Sequence, residues 1–384
     1  MHQLLSYYPT HGLLDEILSH GKYDQLNIFI DLKNNLQTTY MEHAIVNIIE
    51  STQKSRHFDT SIFSSLISFL AFHRKYALNR NIKINFYIFF ETGRSSYHTN
   101  ISKTYKISRR IDNLYGLDND KRELFFDVLQ RNFRLIELAG NKIPNTNVIR
   151  LKNLEADFVP YYLLSRKIVD TSSNIAQVIY SNDHDLLQCL VNDNTFVYQK
   201  IMSKVKRIVK QGQVLERELK RPNNIPDEYH PLALSIIGDP GDDVTGVKGI
   251  GPASFIKCFP YIQKMIGSME ELYKNVMENK QIFDVSRLSI PNKNTQKIIK
   301  AEEDDNTISN NLKLVSFELI SRALEEPKSV DMIEKRKDIS RIIKNNELAK
   351  LEALHESLTK VGVELEYKAL DLLYHNSGWG VNHA

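Results

Sequence analysis

The sequence contains little cysteine, with only Cys189 and Cys258 among its 384 residues. Two cysteines alone cannot form a disulfide framework or a zinc site, so they exclude a disulfide-rich secreted domain and favour a reducing compartment. No apolar run reaches the ~18 residues of a membrane span, so we expect no membrane partner. The first residues, MHQLLSYYPTHG, lack a charged segment followed by an apolar one, so we expect no signal peptide. These absences predict a cytoplasmic protein.

A strong excess of charge of either sign is also missing. The formal net charge is +3 and the isoelectric point is about 8.5, which is compatible with nucleic-acid binding but only weak evidence for it. Apolar residues make up 42% of the chain and charged residues 25%, as in ordinary soluble globular proteins. The length predicts two domains, or one large domain with an appendage.

Several short apolar runs rich in β-branched and aromatic residues predict buried strands. Helical patterns lie between them, for example at 39–50, 61–79 and 158–169. This alternation predicts an α/β domain with a mostly parallel sheet over about 26–235. The predicted strands are Leu26–Ile30, Ile84–Phe90, Val148–Leu151, Gln177–Ser181 and Phe196–Ile201.

Acidic residues follow the first four predicted strands. Ligands of open α/β sheets bind outside the carboxyl ends of the strands, so these side chains are expected to converge there. Clustered carboxylates resist ionising together, and a bound metal ion relieves that repulsion. The sequence therefore predicts an acidic metal site. Its candidates, in chain order, are Asp31, Glu91, Glu155, Asp157, Asp183 and Asp185.

Residues 236–256, IIGDPGDDVTGVKGIGPASFI, combine acidic residues with a glycine-rich turn. Asp239 and Asp242 are candidate ligands for a hard divalent cation, whereas Asp243 is better explained as a cap or a surface acid. A glycine turn that opens a helix exposes backbone N–H groups that can hold a phosphate. Metal ligands beside a phosphate clamp indicate a site that cuts a phosphodiester. The turn contains Gly246, Lys248, Gly249 and Gly251.

The segment 92–146 is too long for an ordinary crossover. It carries basic and aromatic residues, among them Tyr105, Lys106 and Arg109, and then a helical stretch at 122–138. Above an acidic pocket, such an insertion predicts an element that grips the substrate. Residues 203–222 are basic, and both a solvated face and DNA contact remain open for them. Downstream, the composition predicts a loop at 292–311 and helices at 312–325 and 332–375, while 1–25 suggest no function.

These motifs resemble, in family order, those of the metal-dependent 5′-nuclease superfamily: flap endonucleases, bacteriophage 5′-exonucleases and the 5′-nuclease domain of bacterial DNA polymerase I. The bacteriophage members are the most similar. The resemblance covers about 26–260. Its motifs are IFID at 28–31, FFETGRSSYHTNISKTYKISR at 89–109, LEAD at 154–157, SNDHDLLQ at 181–188 and GDPGDDVTGVKGIG at 238–251.

Three positions depart from the family pattern. Glu91 stands where the family usually has Asp, and Asp243 replaces a common Asn. Phe158 stands where the second Asp of the family's EADD motif would be, so one carboxylate is missing from the cluster. An alternative therefore stays open: a catalytically weak or inactive protein of the same fold that binds branched DNA. A third hypothesis is an RNA-directed nuclease of a related α/β fold, which the glycine turn disfavours because it suits B-form duplex.

The resemblance implies a PIN-like α/β fold with a mostly parallel sheet flanked by helices. It implies four regions: an N-terminal extension (1–25), a nuclease core (26–235) with a helical arch (92–146), a helix–three-turn–helix DNA-binding region (236–290) and a helical C-terminal region (291–384). The expected partners are DNA with 5′ flaps, nicks or ends, including RNA–DNA hybrids, and replication proteins that bind the C-terminal region. The expected oligomeric state is a monomer.

The implied activity is that of a structure-specific 5′-nuclease, a 5′-3′ exonuclease or flap endonuclease of DNA replication, primer removal or recombination. It implies two Mg²⁺ ions about 4 Å apart, for which Mn²⁺ can substitute, one activating water and the other stabilising the leaving 3′ oxygen. It also implies K⁺ at the glycine turn. The expected ligands are Asp31, Glu91, Glu155, Asp157 and Asp183 in one cluster and Asp185, Asp239 and Asp242 in the other. Lys106 and Arg109 are expected to offset the charge of the scissile phosphate, and the expected DNA contacts are Tyr105, Gly246, Lys248, Gly249 and Gly251.

Overall fold

A six-stranded sheet forms the centre of the computed structural model, which describes residues 11–37, 61–106, 119–200, 206–212, 214–220, 223–288, 291–326 and 330–344. The strand order is β3-β2-β1-β4-β5-β6, in which β1 to β5 run parallel and β6 is antiparallel to β5. The predicted mostly parallel sheet is confirmed. The strands are β1 Gln25–Asp31, β2 Lys83–Thr92, β3 Thr146–Lys152, β4 Ile175–Tyr180, β5 Thr195–Lys200 and β6 Lys206–Lys210.

Helices flank the sheet and form most of the region after residue 214. A small hairpin, β7 Gly238–Asp239 and β8 Val244–Thr245, lies between two of them. The helices are α1 His11–Ser19, α2 Leu32–Gln37, α3 Ser61–Leu78, α4 Ser96–Ile101, α5 Asn119–Gly140, α6 Val159–Ser165, α7 Val214–Glu218, α8 His230–Ile237, α9 Pro252–Ile266, α10 Met269–Met277, α11 Lys293–Asp305, α12 Thr307–Val315, α13 Phe317–Glu325 and α14 Val330–Lys344.

Three apolar cores hold these layers together. On one face of the sheet, α1, α3 and α5 pack with residues such as Leu14, Phe63 and Phe133. On the other face, α6, α13 and α14 form a second core. Helices α8 to α12 enclose a third core of their own. The central strands β1 and β4 are buried along almost their whole length, which explains their mostly apolar sequences.

The strand order reverses between β1 and β4. From β1 the chain builds outward through β2 to β3, and it then crosses back to place β4 on the other side of β1. Such a reversal leaves a crevice at the carboxyl ends of the two strands, where ligands of open α/β sheets bind. The chain following β1 and the chain following β4 therefore meet at one place.

The loop predicted at 292–311 is wrong. The segment forms α11 and the start of α12, with Asn306 in a left-handed conformation between them. Thr295, Ile298, Ile299 and Glu302 recur at helical spacing and are buried, and this apolar stripe outweighs the polar composition. The helix predicted at 312–325 is two helices that meet at Ser316.

Several predicted features lie outside the described residues: the helix at 39–50, the part of the insertion at 107–118 and residues 345–375. In the part of the chain that the structure covers, no helix has both the length and the apolar character needed to cross a lipid bilayer.

Candidate active site

The candidate site begins where β1 and β4 end. Asp31 is the last residue of β1, and its two carboxylate oxygens accept hydrogen bonds from the Asn34 N–H (3.0 Å) and the Ser181 hydroxyl (2.9 Å). The Asp183 N–H donates in turn to the Ser181 oxygen at 3.0 Å. Ser181 therefore ties together the two strand ends that the strand reversal brings together.

Asp183 and Asp185 follow β4 and stand at the start of a short 3₁₀-helix, Asp185–Cys189. The Asp183 carboxylate accepts a hydrogen bond from the Asp185 N–H at 3.0 Å. The 3₁₀-helix is anchored by Leu186 and Leu187, which are buried in the second core. The two acids are thus presented by a rigid turn.

The loop before the glycine turn brings two further acids to Asp185. Ligand oxygens of Asp185, Asp239 and Asp242 lie within 4.8 Å of one another. The Asp239 side chain accepts from the Gly241 N–H at 2.9 Å, which caps a short 3₁₀-helix, Pro240–Asp242. These are the three residues that the family resemblance implies for the second ligand cluster.

Glu155 and Asp157 follow β3, and Asp157 lies near enough to Asp183 for the two charges to interact. One carboxylate oxygen of Asp157, Oδ1, is buried and has no hydrogen-bond partner among the described residues. Burial, followed by the negative charge of Glu155, raises the pKa of Asp157 well above its usual range. An unpartnered carboxylate oxygen facing like charges is a favourable ligand for a cation.

The pKa values of other acids in the cluster rise for the same reason. Burial, and then the neighbouring carboxylates Asp183 and Glu91, raise the pKa of Asp31 to about 7 despite its two hydrogen bonds. Burial and the charges of Asp183 and Asp242 raise the pKa of Asp185 well above its usual range, and that of Asp239 is raised too. The carboxylates act on one another, so they form one electrostatic cluster.

Lys106 lies against this cluster. Its Nζ atom is 2.8 Å from Glu155 Oε1 and 2.9 Å from Asp242 Oδ2. Burial alone would raise the pKa of Glu155, but Lys106 holds it at about 2. Burial would likewise lower the pKa of Lys106, yet Glu155 and Asp242 hold it well above its usual value. The Lys106 ammonium and the Glu155 carboxylate are therefore charged.

Tyr105 occupies the same junction as Lys106. Its hydroxyl lies 3.0 Å from Glu155 Oε2 and 3.0 Å from Asp242 Oδ2. Lys106 has a left-handed backbone with φ of 53°, and its N–H donates to the Asp242 carbonyl at 3.1 Å. The Tyr105–Lys106 segment is thus locked to the loop that carries Asp242.

His98 supports the Tyr105–Lys106 segment, although no ligand spacing in the sequence predicts a role for it. Its ring stacks on Tyr105 with the ring centroids 4.7 Å apart, and its Nε2 lies 3.2 Å from the Leu314 carbonyl of α12.

Two further side chains hold the surrounding segments. Arg94 donates to the Tyr105 carbonyl at 3.1 Å, and Asn311 of α12 donates to the Ser235 and Thr245 carbonyls, both at 2.8 Å. Contacts more than 60 residues apart in sequence leave no local pattern that would have predicted this arrangement.

Glu91 belongs to the cluster, but its ion-pair partner is not Lys106. It lies near enough for its charge to raise the pKa of Asp31 and Asp157. Its carboxylate forms an ion pair with Lys33 of α2. No motif in the sequence predicts a role for Lys33.

Phe158 points away from the cluster. Its side chain is fully buried in the second core, beside Tyr162, at the start of α6. The position at which the family places a carboxylate is therefore part of the apolar packing beneath the site.

The glycine turn connects β8 to α9. A Cβ at Gly246 would come within 2.1 Å of the Ile237 carbonyl oxygen, so only glycine fits that close approach. Gly249 has a φ of +79°, a conformation that favours glycine. Val247 and Ile250 point into the protein, Lys248 points into solvent, and Gly251 caps α9.

The structure thus gathers eight acidic side chains and Lys106 around the crevice, with the glycine turn following in sequence. The donor set consists of carboxylate oxygens, which suit hard divalent cations, and the unpartnered Asp157 oxygen fits such an ion. Arg109 lies outside the described residues. The acids that the cluster brings together are Asp31, Glu91, Glu155, Asp157, Asp183, Asp185, Asp239 and Asp242.

Comparison with known sequences gives partial matches. No protein-family model matches the chain. A 5′-3′ exonuclease of Aquifex aeolicus is 34% identical over 144 residues, which are 37% of this chain and 42% of the relative. A 5′-3′ exonuclease of Mycoplasma pneumoniae is 30% identical over 114 residues, covering 27% and 33% of the two chains. The chain therefore spans less than half the length of these relatives.

Comparison with solved structures covers most of the chain. The bacteriophage T5 flap endonuclease, in a pseudo-enzyme–product complex with DNA and metal ions, aligns with a TM-score of 0.52 and 17% identity. The T5 5′-exonuclease with bound zinc gives 0.52 and 18%. Each alignment covers 83% of this chain and 99% of the phage protein, and at this identity it establishes a shared fold. The curated matches and the shared fold together confirm the resemblance of this chain to the metal-dependent 5′-nuclease superfamily, with bacteriophage members among its structural neighbours.

Proposed function

We propose that this protein is a structure-specific 5′-nuclease that hydrolyses DNA phosphodiesters near 5′ ends, as a 5′-3′ exonuclease or flap endonuclease. The convergence of eight carboxylates and Lys106 at the strand reversal carries the proposal. So much negative charge would repel polyanionic DNA unless cations were bound. A site that cuts phosphodiesters needs both the cations and the DNA. DNA replication, primer removal and recombination are the processes in which such an activity serves.

The carboxylates would hold two divalent cations, with Mg²⁺ the proposed cofactor and Mn²⁺ a substitute. One set would consist of Asp31, Glu91, Glu155, Asp157 and Asp183, and the other of Asp185, Asp239 and Asp242. Bound Mg²⁺ would supply Lewis acidity and a water of lowered pKa at the scissile phosphate. A K⁺ ion at the glycine turn is part of the same proposal.

The basic side chains would act on the phosphate. Lys106 keeps its positive charge through its ion pairs with Glu155 and Asp242, so its ammonium can offset charge that develops on the scissile phosphate. Arg109 is proposed to assist it. The hydroxyl of Tyr105, held at the same two carboxylates, would fix the position of Lys106 relative to the ligands.

The remaining elements would bind DNA. Residues 92–146 would form an arch for a single strand, and the region 236–290 would act as a helix–three-turn–helix motif. Gly246, Lys248, Gly249 and Gly251 would contact the duplex backbone without distinguishing sequence. The proposed substrates are DNA flaps, nicks and ends, with RNA–DNA hybrids included. We propose a monomer whose C-terminal region, 291–384, contacts replication proteins.

Cleavage of a 5′-labelled flap duplex tests the proposal. The wild type is expected to cut near the junction with Mg²⁺ or Mn²⁺ and not with EDTA, and Asp183→Asn is expected to lose the activity while still binding the flap. Asp193→Asn is a matched control, because Asp193 lies before β5 and outside the cluster. Cutting by the Asp183 variant at the wild-type rate would contradict the assignment of the site.

One observation favours a second candidate, a branched-DNA-binding protein without catalysis. The family's carboxylate position is occupied by the buried Phe158, so the ligand set is one carboxylate smaller. Intact flap binding with no cutting in either metal would support this candidate over the nuclease.

A further inference from the structure

Helix α11, a segment whose polar sequence predicted a loop, lies beside the glycine turn. It packs against α9, the helix that the turn opens, and against α12. Lys297 extends from α11 over the turn: its Nζ is 3.4 Å from the point that a Cβ on Gly249 would occupy. A lysine from a separate helix therefore adds its charge to the backbone of the turn.

Lys297 belongs to a row of lysines on one face of α11. Lys293, Lys297 and Lys300 are spaced at i, i+4 and i+7, so they share a face, and all three are exposed. The buried stripe Thr295, Ile298, Ile299 and Glu302 lies on the opposite face. We name Lys293, Lys297 and Lys300 the lysine face.

The lysines of this face form no ion pair within the described residues, although Asp304 follows Lys300 by one helical turn. Neither its three lysines nor Lys248 of the glycine turn makes an ion pair with a carboxylate there. The exposed acids of the helix, Glu303, Asp304 and Asp305, stand together in its last turn. The row of ammonium groups is thus open to an external anion.

The order of charges along α11 does not stabilise the helix itself. Lysines near a helix N-terminus and acids near its C-terminus oppose the helix dipole, which favours the reverse order. The first amides of α11 are satisfied by the Asn292 side chain, which accepts from the Asn294 and Thr295 N–H groups. The lysine side chains, and not free backbone amides, therefore form the positive surface.

The dimensions of the lysine face fit one strand of a duplex. Seven residues of α-helix span about 10 Å at 1.5 Å per residue. One strand of B-form DNA carries a phosphate about every 3.4 Å along the axis, so about three phosphates occupy that length. The flexible side chains of the three lysines can reach phosphates along that length, and Lys297 makes the row continuous with the glycine turn.

We propose that the lysine face binds the phosphate backbone of duplex DNA and extends the contact of the glycine turn along the same strand. This inference rests on the proposed function, since it assigns the substrate surface that would hold the duplex beside the cutting site. Lysine contacts to phosphate are independent of base sequence. The lysine face would therefore contribute affinity and position, and not sequence preference.

The salt dependence of binding tests this proposal. Binding of a blunt-ended duplex is measured in EDTA, where no cutting occurs, at several salt concentrations. Changing Lys293, Lys297 and Lys300 together to Gln is expected to reduce the slope of log K against log salt by about 2–3 and to weaken binding roughly 10–100-fold at 0.1 M salt. Lys→Arg at the same three positions is expected to keep the slope.

A matched control removes the same charge far from the site. Lys22, Lys75 and Lys83 are exposed near the amino ends of β1 and β2, and their joint change to Gln is expected to leave the slope near the wild-type value. An equal loss of slope in both triple variants would overturn the proposal. So would a loss that is as large for a single-stranded oligonucleotide as for the duplex.

The proposed nuclease activity and the proposed DNA binding by the lysine face can be contradicted separately. A wild type that binds the duplex but does not cut a flap with Mg²⁺ or Mn²⁺ would contradict the nuclease, while the difference between the two triple variants would still support the lysine face. A wild type that cuts, with both triple variants binding alike, would contradict the lysine face alone.

Discussion

The sheet-edge acids and the Tyr105–Lys106 segment meet in one site, but different parts of the fold position them. Asp31 and Asp183 are held at adjacent strand ends through Ser181, so the sheet itself sets their distance. Tyr105 and Lys106 are held by the His98 ring of α4, by apolar packing of Tyr105 with Leu314 and Val315 of α12, and by the Asp242 carbonyl. The sheet edge is therefore expected to tolerate changes in the helical region, whereas the Tyr105–Lys106 segment is not.

Lys106→Ala is the strongest test of this difference. Removal of one preorganised cation at the reacting phosphate is expected to lower kcat about 10²–10³-fold. Flap-cleavage kinetics measure the loss, and Lys103→Ala, an exposed lysine three residues earlier, is the control. Equal kcat values for the two variants would remove Lys106 from the proposed mechanism.

The sheet edge is tested by pH in the absence of metal. Because the pKa of folded Asp31 is about 7, above the ~3.9 of an unfolded chain, the folded state binds more protons between these values. Stability from this group is full below pH 4 and is lost as pH rises through 7. We expect the Tm in EDTA to fall between pH 5 and pH 8.

Asp31→Asn isolates that contribution. The variant is expected to be more stable than the wild type at pH 8 in EDTA, on the order of a few kcal/mol, and its Tm is expected to vary less with pH. Mg²⁺ is expected to raise the Tm of the wild type more at pH 8 than at pH 5, because ligands bind metal when deprotonated. An unchanged pH profile in the variant would refute the assignment to Asp31.

Substitution of His98 is expected to have a smaller effect on kcat, because it disturbs the Tyr105–Lys106 segment alone. His98→Ala is expected to lower kcat about 10–100-fold, the range for residues that orient a reacting group through another side chain. His98→Phe keeps the ring against Tyr105 and loses the Leu314 hydrogen bond, so it is expected to retain part of the activity. Metal affinity, measured by calorimetry, is expected to stay close to wild type in both variants. A large loss of metal affinity would show that the two parts of the site are not separately held.

Substitution of Lys33, at the sheet edge, is expected to have the smallest effect. Lys33→Gln releases Glu91 from its ion pair, and since such a half-exposed pair is worth about 0–1 kcal/mol, the Mg²⁺ concentration for half-maximal cutting is expected to fall by at most about fivefold. Lys22→Gln is the control, because Lys22 is exposed near the amino end of β1, away from the cluster. A rise in the Mg²⁺ requirement would mean that Lys33 orients Glu91 as a ligand.

The same division separates what the sequence could predict from what it could not. Asp31 and Asp183 follow apolar strands, and the rule that parallel strands present ligands at their carboxyl ends is sufficient to bring them together. Asp239 and Asp242 lie in a dense local motif beside the glycine turn. In both cases the information is within a few residues of the acid.

The missed residues depend on contacts between distant segments. The His98 hydrogen bond to Leu314 joins residues 216 positions apart, and the Lys33–Glu91 ion pair joins residues 58 apart. Helix α11 was missed for another reason: its polar composition masked a buried stripe at helical spacing, which tertiary packing selects. Phe158 was recognised as a departure, but only the structure shows that it contributes to the core.

The distance along the chain between His98 and Leu314 also has a consequence in time. Ribosomes add roughly 5–20 residues per second, so the 216 residues between the two partners take about 10–40 s to synthesise. During that interval the emerging chain can already carry the sheet-edge acids, but α12 does not yet exist to hold Tyr105. A nascent chain therefore acquires its acidic cluster before the support for Lys106, and the proposed active site is complete only when almost all of the described protein has been made.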